Sequence, residues 1–132
     1  MIGPYAYIIM PISADPDYEE KKKRLLSAAN RAEINAHFPI DDSAADKSGS
    51  FDLEKTLEDL SASAGVLADL TFERPSCYYE LGLAQALRKP TVLIARSGEH
   101  IHQAHNRGSL REYVSLDDYE QLAYDAMNTL KP

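Results

Sequence analysis

The chain has little of what disulfide-stabilised, nucleic-acid-binding or membrane proteins require. Cys77 is the only cysteine in 132 residues, so no disulfide can form within the chain. Fourteen basic residues face 21 acidic ones, for a net charge of −7, which argues against a surface that binds phosphate backbones. No apolar run approaches the length of a membrane span, and the N-terminus has no basic, signal-like segment. We therefore expect a cytoplasmic protein with no nucleic-acid partner and no membrane association.

Apolar runs alternate with amphipathic segments along the whole chain. The pattern predicts strands over residues 6–10, 34–38, 65–70, 91–95 and 113–115, and helices over residues 15–31, 52–61, 76–88 and 117–130. The first and fourth runs are apolar throughout, as in strands that are buried on both faces of a parallel sheet. We therefore predict a single α/β domain over residues 1–132, with about five mostly parallel strands and helices on both faces.

Ligands of such sheets bind beyond the carboxyl ends of the strands. Pro11 and Ser13 follow the first predicted strand and are therefore candidate substrate-binding residues. Ser48, Gly49 and Ser50 precede a predicted helix, whose free N–H groups could hold a 5′-phosphate. An ordinary flexible loop with a helix cap fits the same three residues, and both interpretations stay open.

Glu80 is the most informative residue of the chain. It shares one stripe of the predicted helix over residues 76–88 with Leu83, Ala84 and Leu87. A carboxylate on an inward stripe is costly to desolvate unless it has a partner or a function. Burial raises the pKa of such an acid while the helix dipole favours its ionised form, a balance suited to a nucleophile or general base. The alternative is an acid that only satisfies the helix end.

Four residues near Glu80 complete the candidate site. Asp69 ends the preceding strand and is expected close by, since paired carboxylates cleave bonds at anomeric carbons, although it could be only a turn-former. Ser76 is a plausible helix N-cap, and Tyr79 could stack on a base or pack in the core. Gly82 inside the helix indicates that a ligand or a neighbouring strand approaches closely.

These residues belong to a longer motif that is densest over residues 66–95. The motif comprises Ala68-Asp69-Leu70-Thr71, Arg74-Pro75-Ser76, Tyr79-Glu80-Leu81-Gly82-Leu83-Ala84 and Lys89-Pro90, and the first strand adds Tyr7-Ile8-Ile9-Met10-Pro11-Ile12-Ser13. The pattern resembles the nucleoside 2-deoxyribosyltransferase-like family. That resemblance implies a flavodoxin/Rossmann-like three-layer sandwich, an N-glycosidic bond enzyme without a cofactor, a small nucleoside or nucleotide substrate, and a homodimer or higher homo-oligomer.

The resemblance also implies roles for three side chains. The glutamate that corresponds to Glu80 is the family's nucleophile and forms a covalent glycosyl-enzyme intermediate. Asp69 would lie near the site as a sugar-hydroxyl or proton partner. Tyr7 would orient the glutamate through its hydroxyl group.

Departures from the family pattern keep other functions open. Members often have an asparagine where Ser76 stands and an acid where Ala64 stands, which leaves room for hydrolysis, a nucleotide substrate or a lost activity. The run Cys77-x-x-Glu80-Leu81 also resembles the helix of Toll/interleukin-receptor-like domains, whose glutamate cleaves NAD. A non-catalytic nucleotide-sensing domain of the same fold is the third alternative.

Three histidines fall in one predicted polar loop, at positions 100, 102 and 105. A metal site needs converging ligands with suitable geometry, and no nearby cysteine completes this set. We therefore expect no metal.

Overall fold

The described residues form a five-stranded sheet flanked by four helices. The computed structural model describes residues 3–39, 52–102 and 109–132. In chain order the elements are β1 (Tyr5–Ile9), α1 (Tyr18–Ala32), β2 (Asn35–His37), α2 (Leu53–Ala62), β3 (Gly65–Asp69), α3 (Pro75–Ala86), β4 (Thr91–Arg96), β5 (Arg111–Tyr113) and α4 (Leu116–Leu130). The strand order is β2-β1-β3-β4-β5, and every neighbouring pair is parallel. All carboxyl ends therefore lie at one edge of the sheet, which we call the carboxyl edge.

Helices cover both faces of the sheet, as predicted for a three-layer α/β domain. The helices α1 and α4 pack on one face, and α2 and α3 pack on the other. Side chains alternate between the two faces along each strand: Ala6 and Ile8 of β1 face α1 and α4, while Tyr7 and Ile9 face α2 and α3. This alternation decides which side chains at the carboxyl edge can meet.

Two helices begin at residues other than the predicted ones. The helix α1 begins at Tyr18 rather than residue 15, because Asp15 and the following proline form a turn in which Asp15 Oδ1 accepts the backbone N–H of Asp17 at 2.8 Å. The helix α3 begins at Pro75, whose fixed φ suits the first helical position. We predicted Ser76 as the N-cap, but it lies within the first turn of α3.

The C-terminal third also differs from the predicted boundaries. The helix α3 ends at Ala86 because Arg88 adopts a left-handed conformation with φ of 58°, and the chain then turns into β4. The strand β5 ends at Tyr113, two residues before the predicted end. The reason is that Ser115 is the N-cap of α4, where its side chain accepts the backbone N–H of Asp118 at 3.1 Å.

The two glycines of β3 and α3 have opposite surroundings. A Cβ atom added at Gly82 would meet nothing within 4 Å, so the expectation of a neighbouring strand there is wrong. A Cβ atom at Gly65 would lie 2.7 Å from the carbonyl oxygen of Pro90 and 2.5 Å from Leu130. Close packing within the chain therefore requires glycine at Gly65, where β3 begins, and not at Gly82.

Across the three described stretches, no helix combines the length and the apolar character that crossing a membrane requires.

Candidate active site

Tyr7 and Glu80 meet on the face of the sheet that α2 and α3 cover. Tyr7 is fully buried in the middle of β1, and its hydroxyl donates a hydrogen bond to Oε2 of Glu80 at 2.6 Å. Glu80 is half-buried. The structure thus brings together two residues that are 73 positions apart and that the family resemblance pairs.

Glu80 lies beside the buried face of α3 rather than on it. Cys77, Leu81 and Ala84 form that face, whereas Leu87 follows the helix and is exposed. Of the predicted stripe over residues 80, 83, 84 and 87, only Ala84 lies on the buried face. From the flank of α3 the Glu80 side chain reaches toward β1, and this orientation brings it to the Tyr7 hydroxyl.

Burial dominates the electrostatics of this pair. It raises the pKa of Glu80 above the ordinary glutamate value, and the hydrogen bond from Tyr7 partly opposes that shift. The pKa of Tyr7 is itself raised strongly, first by burial and then by the Glu80 charge, so the phenol stays protonated and remains a donor. Burial, followed by the same carboxylate charge, also raises the pKa of Cys77 to about 11.

The raised pKa of Glu80 has a consequence for stability. The folded chain holds the Glu80 proton more tightly than the unfolded chain does, so the free energy of unfolding falls as the pH rises from the ordinary glutamate pKa through the raised one. Above that range the ionised carboxylate is destabilising. A half-buried acid with this effect and a defined hydrogen-bond partner is typical of functional sites.

Asp69 does not join Tyr7 and Glu80, in contrast to our expectation. It is in register with Ile94 of β4, and both side chains point to the face that α1 and α4 cover. Only 1% of Asp69 is exposed. The residue ends β3 as predicted, but the alternation of side chains directs its carboxylate away from Glu80.

Asp69 instead belongs to a buried ion cluster with Lys21 and Asp15. The Nζ atom of Lys21 lies 3.0 Å from Asp69 Oδ2 and 2.5 Å from Asp15 Oδ2, and all three side chains are nearly inaccessible. The same Nζ lies 5.0 and 5.1 Å from the ring centroids of Tyr113 and Tyr119. Burial opposes the charge of Lys21, but the Asp69 charge and the hydrogen bonds raise its pKa on balance.

The ion cluster connects the loops that follow β1, β3, β4 and β5. Asp69 Oδ1 accepts the backbone N–H of Thr71 at 3.0 Å, which fixes the chain after β3. The Thr71 hydroxyl then accepts the backbone N–H of Arg96 at 2.9 Å and lies 3.0 Å from the hydroxyl of Tyr113. This network gives Asp69 a structural role at the carboxyl edge.

The predicted substrate-binding residues have different surroundings. Pro11 is buried and Ser13 is exposed just after β1, so both lie at the carboxyl edge. Ser76, Tyr79 and Gly82 are exposed on α3, and Ser76 stands in its first turn. The predictions for three further positions lie outside the described residues: Ser48, Gly49 and Ser50.

Three residues that the sequence did not single out lie close to Tyr7. His37 of β2 is the register partner of Tyr7, and its ring centroid lies 5.5 Å from that of the tyrosine. Thr56 and Asp59 of α2 contribute a hydrogen bond and a charge, respectively, to the surroundings of the Tyr7 hydroxyl. Thr56, Asp59 and the buried Leu60 stand at the helical spacing i, i+3 and i+4, which could have indicated that they lie on one side of α2. The register of β1 and β2 had no signal in the sequence.

Glu73 lies in the loop before α3 and faces the segment that contains the predicted histidines. Its carboxylate accepts hydrogen bonds from the Tyr78 hydroxyl and from the backbone N–H and ring of His102. Burial opposes its charge, yet these bonds lower the pKa of Glu73 to about 2. Within the described parts of the chain no three ligands cluster around a possible metal position, and His105 lies outside them.

The ion cluster generates a stability prediction. Lys21→Met leaves two buried carboxylates without their cation, and we expect the free energy of unfolding to fall by about 3–5 kcal/mol. Lys23→Met on the exposed side of the same helix should change it by less than about 0.5 kcal/mol. Urea unfolding at neutral pH measures both variants, and equal effects would contradict the structural role of the cluster.

The fold has a counterpart among solved structures. A 2-deoxyribosyltransferase from the psychrotolerant bacterium Bacillus psychrosaccharolyticus superposes with a TM-score of 0.68 at 17% sequence identity, over 93% of this chain and 95% of that one. No family model matches the chain. No curated protein matches it by sequence either. The likeness to the solved structure shows the fold, and it confirms the three-layer architecture expected from the resemblance to the nucleoside 2-deoxyribosyltransferase-like family.

Proposed function

We propose that the protein cleaves the N-glycosidic bond of a nucleoside or nucleotide, with Glu80 as the nucleophile. The observation that carries this proposal is the hydrogen bond from the buried Tyr7 hydroxyl to Glu80 Oε2 at 2.6 Å. A single donor aimed at one oxygen of a half-buried carboxylate orients the group and leaves its other oxygen for chemistry. The shared fold with a 2-deoxyribosyltransferase supports the same reaction class.

The chemistry has two steps. Glu80 Oε1 attacks the anomeric carbon, the C–N bond breaks, and the base leaves with the bonding electrons and takes up a proton from solvent. Water or a second base then attacks the same carbon, the ester bond breaks, and Glu80 is released as a carboxylate. Attack by water gives hydrolysis, whereas attack by a base gives transfer, and both products follow from one intermediate.

Tyr7 is the orienting group of this mechanism. Its hydroxyl binds Oε2, which restrains the orientation of the carboxylate and assigns the attack to Oε1. The same hydrogen bond opposes the effect of burial on the pKa of Glu80, so more of the nucleophile is ionised. We assign Asp69 no contact with the substrate, because Lys21 and the backbone of Thr71 occupy its carboxylate.

The position of Asp69 also favours an alternative that is not an enzyme. The carboxylate that would complete a pair with Glu80 is 1% exposed and directed to the other face of the sheet. A domain that binds a nucleotide without turnover needs no second acid. A nucleotide sensor is therefore the second candidate, while cleavage of NAD is a further outcome that the same assay detects.

The first test is release of free base. Purified protein is incubated with a deoxynucleoside, a nucleoside monophosphate and NAD in turn, and products are separated by chromatography. We expect Glu80→Gln to lower the rate by at least about 10³-fold, in the range that loss of a nucleophile costs. Glu19→Gln, an exposed change of the same kind on α1, should leave the rate unaltered. Binding without any base release from the wild-type protein would favour the sensor.

A second test uses the pH dependence of kcat/KM. The Tyr7 hydrogen bond lowers the pKa of Glu80, so Tyr7→Phe should raise that pKa and move the acidic limb of the profile to higher pH. Tyr124→Phe, a half-buried tyrosine on α4, is the matched control and should leave the limb in place. A limb that stays fixed or moves to lower pH in Tyr7→Phe would show that the hydroxyl does not tune Glu80.

We also propose that the protein forms a homodimer or higher homo-oligomer through α3. Glu80 is the only charged residue of this helix, and an apolar ridge runs along its flank and onto the residue that follows it. In this ridge Tyr79 is 53% exposed and Leu87 37% exposed, with Leu83 partly buried between them. Such a ridge next to Glu80 is typical of a surface that a second copy covers.

Light scattering coupled to size-exclusion chromatography tests this association. We expect an oligomer for the wild-type protein and a monomer for Leu87→Glu, because a charge would have to be desolvated at the interface. Val114→Glu, at an exposed apolar residue outside α3, should leave the oligomer intact. A monomeric wild-type protein at assay concentration would contradict the proposal.

A further inference from the structure

A layer of three rings lies beneath the Tyr7 hydroxyl on the α2 side of the sheet. Tyr5 and Tyr7 are alternate residues of β1, and His37 of β2 pairs in register with Tyr7, so all three side chains point to one face. The His37 ring centroid lies 5.2 Å from that of Tyr5 and 5.5 Å from that of Tyr7. The imidazole therefore packs against both phenol rings.

The helix α2 fixes this layer from above through Asp59. Asp59 Oδ2 lies 3.4 Å from Nε2 of His37 and 3.3 Å from Nζ of Lys55. The backbone carbonyl of Asp59 accepts the Tyr5 hydroxyl at 2.7 Å, which joins α2 directly to β1. His37 and Asp59 are about four-fifths buried, at 22% and 21% exposed, so their contact is partly shielded from solvent screening.

We propose that His37, packed against the Tyr7 ring and next to Asp59, is a positioning residue for the Tyr7–Glu80 pair. The proposal rests on the proposed function, because the reaction is where positioning has its effect. The Tyr7 hydroxyl can direct Glu80 only while the Tyr7 ring keeps its orientation, and His37 is the ring that flanks it from the neighbouring strand. Asp59 Oδ2 approaches Nε2 of the imidazole to 3.4 Å on the side of α2. The contacts thus run from Asp59 through His37 and Tyr7 to Glu80.

The kinetic test separates positioning from substrate binding. In His37→Ala we expect kcat for base release to fall by about 10- to 100-fold while KM changes by less than about threefold, since misplacement near a reacting group costs turnover rather than affinity. His37→Phe returns a planar ring to the same place and should recover most of the lost rate. Thermal unfolding verifies that each variant is folded.

Two kinetic results would overturn the proposal. An unchanged kcat in folded His37→Ala shows that the ring does not position Tyr7. A loss in His37→Phe as large as that in His37→Ala shows that His37 acts through its nitrogen atoms rather than through ring contact.

A spectroscopic test does not depend on turnover. Tyrosine labelled with ¹³C at Cζ gives one resonance per ring, and Tyr7→Phe identifies the Tyr7 signal by its absence. We expect Asp59→Asn, which leaves every ring in place, to shift the Tyr7 resonance, and we expect a smaller shift when the same change is made in His37→Phe. A shift of equal size in both backgrounds would come from the direct effect of the Asp59 charge on the Tyr7 hydroxyl and would overturn the proposal. Glu58→Gln, the same kind of change at the adjacent exposed residue of α2, should not shift it.

The two tests also distinguish this proposal from the proposed function. If the wild-type protein releases no base from any substrate, the proposed function fails, and the spectroscopic test alone decides the role of the Asp59–His37 contact. A Tyr7 resonance that stays unchanged in Asp59→Asn overturns the positioning proposal whether or not the protein turns over.

Discussion

The carboxyl edge of this protein depends on one buried ammonium group. Lys21 extends from the first turn of α1 into the protein interior, where Asp69 binds it from the end of β3 and Asp15 from the turn before α1. Removing such a cation from water is costly and is tolerated only when paired charges and hydrogen bonds surround it. Thr71 carries the effect onward to β4 and β5. The ion cluster therefore holds the loops of the carboxyl edge in place from the face of the sheet opposite Glu80.

This arrangement divides polar groups between the two faces of the sheet. One face holds a structural cluster that is closed to solvent, and the other holds a half-buried acid with a single tyrosine donor. The division follows from the alternation of side chains along β1 and β3, since Tyr7 pairs with Val66 and Asp69 pairs with Ile94. Acids that are close in sequence can therefore have unrelated roles.

Periodicity and composition were sufficient to predict the architecture, but only part of the candidate site. The apolar strand runs and the break at Lys89-Pro90 fixed the element order, and Glu80 was conspicuous as an acid among apolar neighbours. The placement of Asp69 could not be predicted, because all residues of β3 are buried and the run therefore has no polar alternation that tells which side chains face which pair of helices. His37 was also missed, because it reaches Tyr7 only through the register of two strands that are 30 residues apart in the chain.

The hydrogen bond between Tyr7 and Glu80 has a further consequence for the direction of the proposed reaction. While Glu80 is an ester, Tyr7 faces a weakly accepting oxygen, whereas free Glu80 presents an anion, to which hydrogen bonds are roughly twice as strong. The donor therefore favours the free carboxylate over the glycosyl ester. In the second step of the proposed reaction this would make Glu80 a good leaving group, and Tyr7 would shorten the lifetime of the covalent intermediate.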